Sequence, residues 1–170
     1  MTIKSRLSIQ KIGQMNSSEK LIEKFYTAFQ NLDAKQMAAC YHKEATFEDP
    51  AFGKLNYDEV CAMWNMLLER SKGHLKIEFS ATDANENYGS TIWIATYVFS
   101  KTNRQVRNVI KAKFEFKEGL IYCHKDCFDL WKWSKMALGW KGYLLGWTSF
   151  MKRKIQSQAK KSLAVYISKN

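Results

Sequence analysis

The sequence predicts an α+β fold in which helices pack against one face of a curved antiparallel sheet. Three observations lead to this prediction. Hydrophobic residues make up 46% of the 170 residues and charged residues 25%, as in an ordinary folded domain. Apolar residues recur at helical spacing before residue 72. From residue 74 to residue 128 they alternate with period two, which is typical of strands.

The first predicted helix covers residues 17–31. Asn16 is placed to cap it, and Glu19 stands at the third helical position, which is the capping-box pattern. The apolar residues of this segment fall on one helical face. They are Leu21, Ile22, Phe25 and Phe29.

A second capping pair, Asp33 with Gln36, opens a short helix. We expect this helix to bury Met37 and Tyr41. The residues that follow this helix favour an extended conformation.

A short strand is predicted at residues 45–48, and Pro50 ends it because proline offers no ladder donor. Asn56 and Glu59 form a third capping pair and begin a third helix. Its apolar residues form one stripe, made of Val60, Met63, Trp64, Leu67 and Leu68.

Four strands of an antiparallel meander follow. The first three are predicted at residues 74–83, 90–100 and 106–116, and the last at residues 120–128. The polar turn KTNRQ separates the second from the third, and the tight turn KEG separates the third from the fourth. Helices followed by a meander predict the α+β class.

Charge is distributed unevenly along the chain. Residues 131–170 contain nine Lys and Arg and no Asp or Glu, whereas residues 1–130 hold eighteen basic and sixteen acidic residues, a net charge of +2. Four of the six Trp also lie after residue 130. We therefore expect a loose arm at 1–15, a nearly neutral domain at 16–130 and a basic, Trp-rich helical extension at 131–170.

The sequence predicts a cytoplasmic protein. The amino terminus has no apolar run of the length of a secretory signal, and no segment reaches the roughly 20 apolar residues of a spanning helix. The four cysteines are interpreted as reduced thiols.

Two stretches resemble a known family. TAFQNLDAKQMAACYHKEATFEDPAFG resembles the front of the nuclear transport factor 2-like superfamily, which includes ketosteroid isomerases and SnoaL-like proteins. FEFKEGLIYCHKDCFDLWKW resembles its closing hairpin, so the resemblance covers residues 17–130. It implies a cone, in which a bent sheet wraps a long N-terminal helix and leaves an open-ended apolar pocket. Enzymes, binding modules and dimerisation modules all use this fold.

The resemblance also implies which residues face the pocket, because alternate residues of a strand share a face. A large, mostly apolar cavity with a few polar groups is the usual character of a small-molecule site. Alternatively, these aromatics simply fill the cone as core. The helices would contribute Phe25, Tyr26 and Trp64, and the strands Trp93, Ala95, Tyr97, Phe99, Asn108, Ile110, Ala112, Phe114, His124, Asp126 and Phe128.

Asp49 is the first candidate catalytic residue. It matches the position of the general base of ketosteroid isomerases, and burial of a carboxyl in an apolar pocket makes it a better proton acceptor near neutrality. The two oxyanion donors of that enzyme fall on Phe25 and Ala112, so neither is present and steroid isomerisation is not expected. Alternatively, Asp49 only ends its strand and caps the next turn.

His124 and Asp126 are the other two candidates. Asp126 matches a carboxylate that limonene-epoxide hydrolases use, with an Arg and a second Asp, to activate water. Those two partners fall near Trp93 and Ala95, so the triad is incomplete. His124 shares the inward face and would form an acid–base pair with Asp126. Alternatively, the two form a buried hydrogen-bonded pair that orients the sheet.

No metal and no cofactor is expected. Cys123 and Cys127 face one side of their strand and His124 the other, so one ion would need a bulge to reach all three.

The extension leaves three interpretations open. Residues 149–167 predict a helix with one apolar and one basic face. This helix packs on the domain or on a dimer mate, or lies on an anionic membrane surface with Trp at headgroup depth. Nucleic acid is disfavoured because no recognised fold signature accompanies the charge. The segment FDLWKWS also resembles one in bacterial family members of unassigned activity.

These patterns predict a SnoaL-like protein that binds a hydrophobic small molecule. If it is an enzyme, Asp49 acts as base, with His124 and Asp126 as partner groups, in isomerase-like or epoxide hydrolase-like chemistry. The competing prediction is a non-catalytic binding or dimerisation module, attached to the membrane surface through the C-terminal helix. We also expect a homodimer.

Overall fold

The computed structural model describes residues 16–169, so the predicted arm at 1–15 lies outside the described residues. The elements, in chain order, are α1 (Ser17–Gln30), α2 (Ala34–Ala38), β1 (Tyr41–Asp49), β2 (Gly53–Leu55), α3 (Tyr57–Ser71), β3 (Lys76–Ala84), β4 (Tyr88–Phe99), β5 (Arg104–Lys117), β6 (Leu120–Cys127), α4 (Leu130–Leu138), α5 (Trp140–Leu145) and α6 (Ser149–Ile167).

The predicted helix starts are confirmed. The Asn16 side chain accepts from the Glu19 N–H at 2.8 Å, and the Glu19 carboxylate accepts from the Asn16 N–H at 3.0 Å. Asn56 and Glu59 make the same reciprocal pair. Each pair satisfies two of the N–H groups that a helix start leaves without a partner, which fixes where α1 and α3 begin.

The prediction was wrong around β1. The strand begins at Tyr41 rather than at residue 45, so Tyr41 belongs to the sheet and not to the short helix, although it is buried as expected. β2 was not predicted at all. β2 is a strand of three residues that pairs with the nearby end of β1, where Phe47 lies opposite Leu55. The early start of β1 arises from pairing with a distant strand, since Tyr41 lies opposite Ile121 of β6. Such partners override local sequence preference.

The six strands form one curved sheet in the order β2-β1-β6-β5-β4-β3. The α+β class and the cone are confirmed, with one correction: the sheet is mixed rather than entirely antiparallel. β1 and β6 are parallel neighbours, while the other four pairings are antiparallel. The long connection between β1 and β6, which contains α3 and the meander, permits this parallel pairing.

Helix α1 lies in the concave face of the sheet and supplies much of the core. Burial along β5 alternates strictly from Val106 to Phe114, as parity predicts, and the outward residues Lys111 and Lys113 are exposed. The apolar side of α1 completes the core with Ile22, Phe25, Tyr26 and Phe29.

The region after the domain forms three helices. α6 has the predicted bounds, whereas α4 and α5 occupy residues for which no element was predicted. These two helices cross so closely that a Cβ at Gly142 would overlap the carbonyl oxygen of Ser134. Glycine at this position therefore makes the crossing possible.

Helix α6 packs its apolar side on the domain. Met151 and Leu163 are buried, and Ile155 is partly buried. The Gln156 side chain donates to the carbonyl oxygen of Pro50 at 3.2 Å, and the Tyr166 hydroxyl donates to Glu69 of α3 at 2.7 Å. None of the helices within residues 16–169 combines the length and the hydropathy needed to cross a membrane.

Candidate functional site

A cavity of about 490 Å³ lies at the open end of the cone. Its walls come from the inward residues of β4 and β5, from α3, and from α4 and α6 of the extension. Most of the lining is apolar. Polar side chains at the inner end are Asp49, Tyr97, Asn108 and Asp126, while Arg70, His74, Lys101 and Lys154 line the solvent-exposed end.

The predicted pocket residues divide into two groups. Nine of the fourteen line the cavity: Trp64, Trp93, Ala95, Tyr97, Phe99, Asn108, Ile110, Asp126 and Phe128. The other five are fully buried in the core and do not line it: Phe25, Tyr26, Ala112, Phe114 and His124.

These five residues lie where the cone is closed by packed rings. Tyr26 stacks on Phe79 with centroids 5.4 Å apart, and Phe114 lies 4.5 Å from the ring of His124. Parity places a residue on the inward face, but it does not distinguish the filled part of that face from the open part.

Asp49, at the end of β1, lines the cavity. Its carboxylate accepts from the backbone N–H groups of Ala51 and Phe52, so it also caps the following turn. Burial raises the pKa of Asp49 to about 7, with the nearby charge of Asp126 adding to the rise and the backbone N–H groups opposing it. Near neutral pH this carboxyl can therefore both accept and release a proton.

Asp126, on β6, is buried and also lines the cavity. Its Oδ1 accepts from Trp93 Nε1 at 3.1 Å and contacts His124 Nε2 at 3.1 Å. These two partners fix the position of the carboxylate, and its negative charge raises the pKa of Asp49.

His124 is completely buried and does not line the cavity. Its Nδ1 lies 2.6 Å from the Tyr41 hydroxyl, which accepts from Trp64 Nε1 at 3.2 Å. With a proton on Nε2 donated to Asp126, a neutral imidazole satisfies both contacts. The hydrogen-bonded pair is present, but His124 faces packed rings rather than a ligand space.

Tyr97 is the residue whose role the sequence did not indicate. Its hydroxyl accepts from Trp133 Nε1 at 2.9 Å, which leaves its own proton available to a ligand. Burial raises the pKa of Tyr97, and the charge of Asp49 raises it further, so the phenol stays protonated. Trp133 belongs to the extension, whose docking no local pattern predicts.

Asn108 supplies a second neutral polar group. It is buried on β5 and lines the cavity, and its side-chain amide makes no hydrogen bond to any other residue in the described part of the chain. An amide in an apolar wall is available to hydrogen-bond a ligand.

Within residues 16–169 no three His, Cys, Asp or Glu side chains form a cluster that would hold a metal ion. On β6, His124 is buried while Cys127 on the other face is exposed.

Solved structures with a similar fold share little sequence with this chain. An epoxide hydrolase of M. tuberculosis, described as limonene-epoxide-hydrolase-like, is 21% identical with a TM-score of 0.55, covering 76% of this chain and 91% of its own. A putative polyketide cyclase from Xanthomonas campestris pv. campestris is 13% identical with a TM-score of 0.59, covering 71% and 96%. TerC, co-crystallized with polyporic acid, is 10% identical with a TM-score of 0.60, covering 72% and 99%.

At these identities the likeness establishes the fold and not the activity. Comparison with curated proteins finds no match. The family model of the SnoaL-like domain, in contrast, matches residues 22–124, which is more than half of the chain. With its cone fold and this match, the protein belongs to the SnoaL-like family of the nuclear transport factor 2-like superfamily.

Proposed function

We propose that this protein binds a hydrophobic small molecule in the cavity and transfers a proton on it, with Asp49 as the base. The proposal rests on one group of residues that line the same cavity of about 490 Å³. Asp49 supplies a carboxyl with a pKa of about 7, and Tyr97 and Asn108 supply two neutral polar groups.

The reaction that suits these groups is isomerisation of an apolar carbonyl compound. Ionised Asp49 takes a proton from a carbon next to the carbonyl group, and the electrons of that C–H bond form an enolate. Tyr97 or Asn108 donates a hydrogen bond to the enolate oxygen. Protonated Asp49 then returns the proton to another carbon, so the product is an isomer and nothing else is consumed.

These donors differ from those of ketosteroid isomerases. The two positions that the resemblance assigns to the donors hold Phe25 and Ala112, and neither lines the cavity. Tyr97 and Asn108 reach it from β4 and β5 instead. The proposal is therefore isomerase-like chemistry on a ligand that differs in shape from a steroid.

Epoxide hydrolysis is less well supported. Trp93 stands near one of the positions where the second carboxylate or the arginine is expected, and its indole donates to Asp126. This carboxylate is held by protein donors rather than left to activate a water molecule. The proteins with similar folds, an epoxide hydrolase, a putative cyclase and a complex with an organic acid, support an organic ligand without selecting the reaction.

The test is a panel of apolar β,γ-unsaturated ketones, with conversion to the conjugated ketone followed by ultraviolet absorbance. We expect turnover above the buffer rate, a loss of about 10²–10⁴-fold in the Asp49→Asn variant, and a loss of about 10²–10³-fold in Tyr97→Phe if it is the oxyanion donor. Asp58→Asn, on the exposed surface of α3, is the matched control. Binding of such ketones without turnover would favour the non-catalytic module over the enzyme.

A second candidate function, attachment to an anionic membrane surface, is favoured by the exposed aromatic residues of the extension. The apolar side of α6 packs on the domain, so the attachment surface would be α5 and its neighbours rather than α6 itself. Trp140 and Trp147 are 70% and 71% exposed, in a region that holds nine basic and no acidic residues. Trp together with Lys is the composition of membrane interfaces. The exposed set also includes Tyr143, Leu144, Leu145 and Phe150.

Co-sedimentation with vesicles tests this attachment. We expect binding to vesicles containing phosphatidylserine and weaker binding to neutral phosphatidylcholine, with a large loss in the double variant W140S/W147S. Equal binding to both vesicle types, or no effect of the double variant, would contradict it. The homodimer expected from the sequence is proposed independently, and sedimentation velocity tests it.

A further inference from the structure

Charge along the cavity is separated by sign. The acidic side chains that line it, Asp49 and Asp126, are at the inner end. The basic side chains that line it are all exposed and belong to the outer end: Arg70, His74, Lys101 and Lys154. The two ends are joined by an apolar wall, so a ligand that fills the cavity meets opposite electrostatic environments at its two ends.

The outer charges come from separate parts of the fold. Arg70 is in the last turn of α3, Lys101 is in the turn between β4 and β5, and Lys154 is on α6. Glu69, the neighbour of Arg70, does not line the cavity and accepts a hydrogen bond from Tyr166. The cationic groups at this end are therefore not offset by an acid in the lining.

This arrangement would also fix the direction in which a ligand enters. An anionic group is attracted by the basic end and repelled by Asp126 and ionised Asp49 at the inner end. The uncharged end of the ligand would then lie against Asp49 and Tyr97, where the proposed proton transfer takes place.

We infer that the ligand is an amphipathic anion: an apolar body with a carboxylate, sulfonate or phosphate group at the end opposite its reacting carbon. This inference rests on the proposed function, because it concerns the same cavity. Lys154 and the adjoining wall residues Met151, Ile155 and Ala159 lie outside the segment that matches the family, residues 22–124. The extension thus adds Lys154 to a basic end whose other members, Arg70, His74 and Lys101, lie inside that segment.

The experiment uses two fluorescent probes with the same ring system, anilinonaphthalene sulfonate, which is anionic, and phenylnaphthylamine, which is neutral. Both are titrated into the full-length protein and into Lys154→Gln and Arg70→Gln. The matched control is Lys152→Gln, since Lys152 is an exposed lysine of α6 that does not line the cavity. Ala95→Leu, which fills the cavity wall, shows whether a probe is bound inside.

We expect the sulfonate to bind more tightly than the neutral probe, and both to be weakened by Ala95→Leu. Lys154→Gln and Arg70→Gln should each weaken sulfonate binding by roughly two- to five-fold, as for a partly exposed charge pair, and leave the neutral probe unchanged. Lys152→Gln should change neither. Displacement by dodecanoate and by dodecyl phosphate then distinguishes a carboxylate from a phosphate ligand.

Three results would overturn the inference. If the neutral probe binds in the cavity but the sulfonate gains nothing, or if Lys154→Gln and Lys152→Gln behave alike, the ligand is not selected for its charge, although the hydrophobic site stands. If neither probe responds to Ala95→Leu, no apolar ligand is held there and the proposed function fails as well.

Discussion

The two halves of the cone interior are made from the same strands and differ in whether their polar groups face packed rings or a cavity. In the closed half, His124 lies among aromatic rings and its two nitrogens contact Tyr41 and Asp126. In the open half, Asp49, Tyr97 and Asn108 line a cavity of about 490 Å³. We infer that the closed half stabilises the fold, whereas the open half, under the proposed function, offers its polar groups to a ligand.

Asp49 and Asp126 both line the cavity and differ in the partners that hold them. Asp126 accepts from the Trp93 side chain and contacts the His124 ring. Among the described residues, Asp49 accepts from backbone N–H groups, and its burial is strong enough to raise its pKa to about 7. A group that the protein holds at this pKa is suited to proton transfer. Substitutions in the two halves should therefore differ in their effects on stability.

Replacing the central residue of the closed half should have the largest effect. His124→Ala removes a fully buried ring and takes one of the two hydrogen-bond partners from the Tyr41 hydroxyl and from Asp126, which keep Trp64 and Trp93 respectively. We expect the free energy of unfolding to fall by about 3–5 kcal/mol, as for other large buried side chains, measured by urea denaturation. Tyr122→Ala, at an exposed position of the same strand, is the control. A loss below about 1 kcal/mol would show that the closed half is not the stabilising core.

Asp49→Asn should stabilise the protein, and only at higher pH. The native carboxyl has a pKa of about 7 against 3.8 for the ordinary group, so the native state binds more protons than the unfolded state between these values. Wild-type stability therefore falls as pH rises from about 4 to about 7, whereas the Asn variant lacks this fall. We expect the variant to match wild type near pH 4 and to exceed it by roughly 2–4 kcal/mol above pH 7. Denaturation curves at several pH values test this, and a difference that does not change with pH would contradict it.

A matched pair of alanines tests packing in the two halves. Ala112 is fully buried on β5, and Ala95 lines the cavity on the neighbouring β4. Ala112→Leu should overpack the closed half and cost about 1–3 kcal/mol. Ala95→Leu has empty space to fill and should cost less than about 1 kcal/mol. Thermal unfolding of both variants measures the difference. Equal losses would indicate that the cavity is as tightly packed as the core.

Much of the fold follows from the sequence because its signals are local. The capping pairs at Asn16 and Asn56 fixed two helix starts, and period-two alternation located the four strands of the meander. β2 was missed because it is only three residues long, although it pairs with the nearby β1. The start of β1 depended on pairing with residues far along the chain, such as Tyr41 with Ile121. No local pattern contains that information.

The sequence predicted which residues face the interior of the cone, but it did not predict which of them line the cavity. Parity correctly placed Asn108, Ala112 and His124 on the inward face, but only Asn108 of these three lines the cavity. The distinction depends on how the helices fill the cone. Tyr97 was placed in the pocket, yet its value as a donor depends on Trp133, which the extension brings to it.

Whether the open half holds a carboxyl adjusted for proton transfer is tested most directly by a pH titration of the Asp49 carboxyl carbon by NMR, on carbon-13-labelled aspartate, with Asp49→Asn used to assign the signal. A midpoint near pH 7 is predicted, with a further change when an apolar ketone is added. A midpoint near pH 4, unaffected by such a ligand, would show that Asp49 is an ordinary turn-capping carboxylate and would contradict the account.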